Sequence, residues 1–209
     1  MSASENRKNR WLIKDSFFDR HPKELLFTPQ SIIFSNQKLS VPTTTDLSKE
    51  EPLEFRFGIK WIRGFEFIVG RKYQLLIKNS DGEIIKISFS SYYGINKVHL
   101  YNQYAEILNQ LWESYFDGLV DHYLALFSQK IPFILANVTF DELGIRIKSA
   151  NFIKEEEKSL LWPDVGTKNY RTYFAIFSKQ NPSNINKGYS YLDDWNTGVL
   201  YSVIETILK

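Results

Sequence analysis

Hydrophobic and polar positions alternate along most of this chain, and helical spacing replaces the alternation only twice. The clearest run is Phe55-Arg-Phe-Gly-Ile-Lys-Trp61, with Phe55, Phe57, Ile59 and Trp61 on one face and Arg56 and Lys60 on the other. Strict period-two alternation predicts a half-buried strand in an antiparallel sheet. Gly64 marks a turn or bend, Phe65-Glu-Phe67 resumes the alternation, and Tyr73, Leu75 and Ile77 continue it beyond Gly70. Ser80-Asp81-Gly82 reads as a hairpin turn, because glycine takes positive φ without steric cost. Ile85, Ile87 and Phe89 form the return strand. From Lys97 to Phe127 the period changes. Leu100, Tyr104, Ile107, Leu111, Tyr115, Leu119, His122 and Leu126 recur at three- and four-residue spacing, which predicts one long amphipathic helix. Gly118 is its candidate interruption, since a glycine inside a helix costs about 1 kcal/mol relative to alanine.

Upstream, residues 1–10 are polar and expected to be disordered, and Trp11, Leu12, Ile13, Phe17 and Phe18 form an apolar cluster that anchors the arm. Residues 31–41 read as a strand or two with a turn at Asn36. Residues 42–52 read as a loop, because proline, threonines and charges leave nothing to bury. Residues 129–132 form a boundary, and the apolar stretch 131–138 reads as a strand. Further strands are expected at 139–150, 159–165, 168–179 and 189–192, with Glu155-Glu-Glu157 in a solvated loop. A final helix runs from about Asp194 to Leu208, packs through Trp195, Val199, Val203 and Ile207, and takes Asp193 or Asp194 as its N-cap. The same plan is used twice: strands first, a closing helix last. The division is an N-terminal arm at 1–23, a first unit with the long helix at 24–130 and a smaller second unit at 131–209.

Composition narrows the field mainly by exclusion. Across 209 residues, 26 Lys and Arg face 24 Asp and Glu, so the net charge is only +2. No global electrostatic footprint for nucleic acid or anionic membrane follows from that balance. Cysteine is absent, which removes disulfides, thiolate catalysis and cysteine-ligated zinc and fits a reducing compartment. No apolar h-region follows the N-terminus, and no apolar run approaches the ~20 residues that span a bilayer. A cytoplasmic protein without a transmembrane segment is the expectation.

The chemistry-bearing residues are sparse. His21, His99 and His122 show no metal-ligand spacing. Asp193-Asp194 and Glu155–Glu157 have the composition of an acid/base pair or a divalent-ion site. Helix capping and a solvated loop account for them more simply. No dinucleotide fingerprint, P-loop or nucleophile elbow is present. Arg56, Lys60, Arg63, Arg71 and Lys72 form the best basic patch, interleaved with Phe57, Trp61 and Tyr73. Cations beside aromatics can hold phosphates and stack on bases. The alternation offers the plainer reading, with the aromatics on a core face and Arg56 and Lys60 on the wet one. Trp162 and Trp195 are expected in the second unit's core, with nearby carbonyls or Asp164 as indole partners.

The pattern Phe140–Gly144-Ile145, Leu161-Trp162-Pro-Asp-Val165, Tyr173–Phe177 and Trp195-Asn196 before the closing helix resembles the bacterial pleckstrin-homology-like domain proteins. The first unit, through Ile59-Lys-Trp61 and the meander before Ile107–Tyr115, is similar in the same way. The resemblance implies a mainly β fold with α (α+β): two tandem antiparallel β-rolls, each closed by a C-terminal helix and joined through the long helix. Residues 131–209 are few for a seven-strand roll, so a strand is expected to be missing or shared. Members that bind inositol phosphates gather basic residues near the first inter-strand loop. Here Lys38 precedes a loop with Asp46, Glu50 and Glu51 against one base, Lys49, which speaks against that ligand. The function expected is a non-enzymatic intracellular binding or scaffolding module, without catalytic residues, metal or cofactor. Its partner is expected to be a protein or peptide at a sheet edge or in the groove between the units beside the helix. The alternative is an anionic-lipid or nucleic-acid surface binder through Arg56, Lys60, Arg63, Arg71 and Lys72. A homodimer is also expected to be accessible, because the helix has more apolar positions than one roll can cover.

Overall fold

The computed structural model of the protein describes residues 9–14, 19–36, 43–151 and 154–209. The described chain is mainly β with α, and it divides into two compact units, Met1–Tyr115 and Phe116–Lys209. Each unit is a four-stranded antiparallel sheet, then a three-stranded antiparallel sheet, then a closing helix.

In the first unit, β1 (Arg10–Ile13), β2 (Lys23–Phe27), β3 (Ser31–Asn36) and β4 (Thr43–Ser48) pair in chain order. The three-stranded sheet is β5 (Glu54–Gly64), β6 (Phe67–Lys78) and β7 (Ile84–Tyr92). Alternate residues of both sheets are buried: Trp11 and Ile13, Leu25 and Phe27, then Tyr73, Leu75 and Ile77 opposite Ile85, Ile87 and Phe89. Burying each such side chain is worth about 1.5–3 kcal/mol. Helix α1 (Lys97–Leu111) closes the unit through Tyr104, Ile107 and Leu111. The Tyr104 ring stands 5.5 Å from that of Tyr73, and Gln103 donates its amide to the Leu12 carbonyl at 2.9 Å. Tyr115 ends the unit. Its hydroxyl accepts the Leu53 N–H and donates to the Glu51 carbonyl, both at 2.9 Å, and its ring packs 5.1 Å from Phe55.

In the second unit, β8 (Phe133–Leu135), β9 (Val138–Phe140), β10 (Gly144–Asn151) and β11 (Lys154–Leu161) form the four-stranded sheet. The three-stranded sheet is β12 (Val165–Asn169), β13 (Tyr173–Ser178) and β14 (Asn186–Ser190). Helix α2 (Asp117–Ser128) sets Tyr123 against Phe133 and Phe127 against Trp162. Helix α3 (Thr197–Ile207) closes the unit by burying Val199, Leu200, Val203 and Ile204. The two closing helices start alike. Asn96 and Asn196 cap them in the left-handed region, at φ 53° and 59°, and each carbonyl accepts the N–H four residues on at 2.9 Å.

Several expectations are corrected. Both units have seven described strands, so no strand is missing from the second. The stretch read as one strand at 131–138 is β8, a two-residue turn and the start of β9. Ala136 and Asn137 both take positive φ, 49° and 61°, as a type I′ hairpin demands. Neither residue is glycine, so the turn carries no glycine signal in the sequence. Residues 43–48 are a strand rather than loop: β-branched threonines suit a half-exposed edge, and Leu47 is fully buried. Glu155–Glu157 lie in β11, paired to β10, rather than in a loop. The strand expected at 159–165 breaks at a 3-10 turn, Trp162–Asp164, and 168–179 is a hairpin turning at residues 170–172. The helix from Lys97 is interrupted by a π-helical turn at Trp112–Phe116, not at Gly118, whose surroundings are open. The boundary between the units falls in that turn. The final helix starts at Thr197, and Asp193 and Asp194 instead tie the preceding turn by accepting the Ser190 hydroxyl and N–H. Of the N-terminal arm, residues 10–13 are β1, with Trp11 and Ile13 buried and Leu12 exposed. The expected disorder before Asn9, the Phe17–Phe18 anchor, and Lys38 with the rest of 37–42 lie outside the described residues.

Two substitutions test this account. Ala136→Asn relieves a left-handed alanine and is expected to raise stability by about 0.5–1 kcal/mol in urea titration. Tyr115→Phe leaves the Leu53 N–H and the Glu51 carbonyl without their partner and is expected to cost about 1–2 kcal/mol by the same measurement.

Candidate functional site

The five basic residues singled out in the sequence lie on β5 and β6, but they do not form one patch. Cross-strand register decides their faces. Trp61 stands directly opposite Arg71, and Lys60 directly opposite Lys72. Since neighbours along a strand point to opposite faces, Arg71 shares the face of Trp61, while Lys60 and Lys72 share the other with Arg56. Like charges in a direct cross-strand pair repel. Among the described residues no acid pairs with Lys60 or Lys72. Arg63 is exposed farther along, where only two strands remain. The pairing of β6 with β7 ends at Gly70 and Tyr92, so residues 63–68 form a two-stranded extension past the third strand.

The extension is apolar at its tip, with Glu66 as the single acid between Lys60 and Lys72. Phe65, in the turn, has φ 49° and is fully exposed; Phe67 and Ile68 follow it into solvent. One extra residue, Val69, stands between the pairs Ile62–Gly70 and Arg63–Ile68, a bulge that bends the ribbon. Its carbonyl accepts the Tyr93 N–H at 2.8 Å. Tyr93 in turn has φ 50° and is 80 % exposed. Exposed apolar side chains continue through Ile95 and into the first turns of α1 at Val98 and Tyr101. Large residues in the left-handed region cost roughly 1–2 kcal/mol each. Here that cost holds two aromatic rings in water, where neither packs. Strain of this kind, without a packing return, makes these two positions candidates for function.

Between the bulge and the start of α1 lies a cleft of about 200 Å³ lined by Trp61, Ile68, Gly70, Arg71, Tyr93, Gly94 and Lys97 among others, none of them a carboxylate. The Arg71 guanidinium stacks over Trp61, 4.2 Å from the ring centroid. The Arg71 charge lies beside the hydroxyl of buried Tyr73 and opposes the rise that burial gives its phenol pKa. The Tyr73 hydroxyl donates to the Lys97 carbonyl at 3.5 Å. Ser91 fixes the wall by donating to the Ile95 carbonyl at 2.8 Å. Gly70 is required at its place, because a Cβ there would stand 2.6 Å from the Ser91 carbonyl. Gly94, at φ 77°, lets the chain turn into α1. Among the described residues neither Arg71 nor Lys97 has an acidic partner.

The structure therefore brings Arg71 to Trp61, leaves Arg63 at the tip, and sends Arg56, Lys60 and Lys72 to the opposite face. Phe65, Phe67, Ile68, Tyr93 and Lys97 escaped the sequence reading. A signal was available: a turn rich in large apolar residues, where solvated turns are normally polar. Other candidates do not assemble. His99 and His122 are exposed, and the His21 N–H donates to Asp19 at 3.2 Å. No three His, Asp or Glu among the described residues lie grouped as metal ligands. Trp162 donates its indole N–H to the Asp141 carbonyl at 3.3 Å and is half-buried against Phe140. Asp164 accepts from the Ser178 hydroxyl and the Gln180 N–H, which hold its carboxyl below the usual range. Comparison with protein-family models, curated proteins and solved structures finds no match to this chain.

If Phe65 is held at a cost, replacing it should stabilise the fold. Phe65→Asn, which keeps a residue tolerant of positive φ and removes no buried surface, is expected to raise stability by about 0.5–1 kcal/mol in urea titration. A loss of stability would show that the ring packs.

Proposed function

We propose that the protein is a non-enzymatic binding module of two pleckstrin-homology-like units in tandem, and that its first unit docks on anionic membrane surfaces. The family reading is supported by the repeated order of a four-stranded sheet, a three-stranded sheet and a helix led by an αL asparagine. The membrane reading is carried by one observation: the exposed apolar tip Phe65, Phe67 and Ile68 projects past β7 beside Lys60, Arg63, Arg71 and Lys72, none of which pairs with an acid among the described residues. Apolar side chains of this kind gain by entering the headgroup boundary, and each nearby Lys or Arg adds about 1 kcal/mol on an anionic leaflet. No helix among the described residues is long and apolar enough to cross a membrane. A nucleic-acid reading has less support. Arg71 already covers one face of the Trp61 ring, and beside the exposed Phe65, Phe67 and Tyr93 stand the exposed aliphatic Ile68, Ile95 and Val98, which suit an apolar phase rather than stacked bases.

Sedimentation of the full chain with vesicles tests the proposal. Phosphatidylcholine vesicles containing phosphatidylserine are expected to carry the protein down, and pure phosphatidylcholine vesicles are not. Binding should weaken as salt rises, because exposed charges are screened beyond about 10 Å at moderate ionic strength. A Phe65→Ser, Phe67→Ser, Ile68→Ser variant is expected to lose affinity by at least about tenfold while melting no lower than the wild type. Equal binding to neutral and anionic vesicles, or none to either, overturns the reading.

A further inference from the structure

We propose that the cleft between Trp61, Arg71, Tyr93 and Lys97 is a subsite for a phosphomonoester on a membrane-lipid headgroup. The proposal rests on the membrane reading and adds a ligand chemistry to it. Size is the first argument. At about 200 Å³ the cleft is smaller than the roughly 300 Å³ at which pockets for drug-sized ligands begin. It suits one small group, and the base of a nucleotide would need the Trp61 face that Arg71 covers.

Charge is the second argument. Arg71 and Lys97 line the cleft, and no carboxylate does. A guanidinium offers paired N–H donors in the geometry that matches phosphate oxygens, and lysine adds a point charge. A phosphomonoester presents three acceptor oxygens and a charge of about −1.5 to −2 near pH 7. A diester has fewer free oxygens and only a single charge. Preorganisation is the third argument. Stacking on Trp61 holds Arg71 before any ligand arrives, so less side-chain freedom remains to be lost on binding. Glycine at 70 and 94 keeps the walls free of side chains. Position is the fourth argument. Ile68 and Tyr93 belong both to the cleft and to the exposed apolar end, so entry of the tip into the interface brings the cleft to headgroup depth.

The test compares vesicles of matched surface potential containing phosphatidic acid, which exposes a phosphomonoester, or phosphatidylserine, which offers a carboxylate and a diester. The full chain is expected to bind phosphatidic acid about tenfold more tightly. Arg71→Gln is expected to abolish the preference and to weaken phosphatidylserine binding only by the several-fold that one lost surface charge accounts for. Lys97→Gln, at the exposed start of α1, repeats the test without touching the Trp61 stack, should Arg71→Gln fail to fold. Equal affinity for the two lipids overturns the subsite and leaves the membrane reading standing. Absence of binding to both overturns the two together. Calorimetry with inorganic phosphate distinguishes the source: free phosphate that binds as tightly as the lipid overturns the lipid assignment.

Discussion

Each unit closes only because its chain enters the left-handed region just before the closing helix. The last strand of the three-stranded sheet must turn sharply before a helix can lie over the exposed ends of the strands. Asn96 and Asn196 make that turn in the left-handed region, where asparagine is tolerated and most side chains are not. The angle so set decides what each helix can bury. Tyr104, Ile107 and Leu111 meet the first unit's core, and Val199, Leu200, Val203 and Ile204 meet the second's. Without the helix, the rows of apolar residues on the inner strand faces would remain open at one end, and a small domain has little stability to spare.

The first unit uses the same backbone region again for another purpose. Phe65 and Tyr93 also sit at positive φ, but their rings meet water instead of a core. Asn96 turns the chain at low cost and gains a packed helix, whereas Phe65 incurs a larger cost and gains nothing in the free protein. A surface that is less favourable alone than it need be is what a docking element looks like before it meets its partner. The bulge at Val69 serves the same end of the sheet, since its carbonyl fixes Tyr93 and its extra residue bends the ribbon.

A two-stranded ribbon is also thin enough for both faces to meet one surface. Register puts Lys60 and Lys72 on one side of its root and Arg71 on the other, so the division that weakens the idea of a single basic patch gives the ribbon cations on both flanks. Arg71 differs from the others. Stacked on Trp61, it is an oriented donor rather than a diffuse charge, and the proposed subsite draws on that difference.

Period-two alternation made the β5–β7 meander legible, because a half-buried strand leaves its record residue by residue in Phe55, Phe57, Ile59 and Trp61, then Tyr73 to Ile77 and Ile85 to Phe89. The use of one plan twice was legible for the same reason. Short or polar strands were not: β4 carries one buried residue, Leu47, and β8 and β9 meet through an Ala-Asn turn without glycine. Their place is decided by neighbours far along the chain. The helical stretch was legible from its spacing, but its π-helical turn was not, since local periodicity does not record where packing forces an extra residue into a turn. For the site, sequence determined which cations and aromatics were available, and Arg56, Lys60, Arg63, Arg71 and Lys72 were all in view. Only tertiary structure decided which of them meet. The Trp61–Arg71 pairing comes from hairpin register, the joining of Tyr93 and Lys97 to them from the course of the chain after β7, and the exposure of Phe65 from the absence of any described element over the tip. Period and composition are properties of the chain read in order, whereas a site is made of residues that only folding brings within a few ångströms.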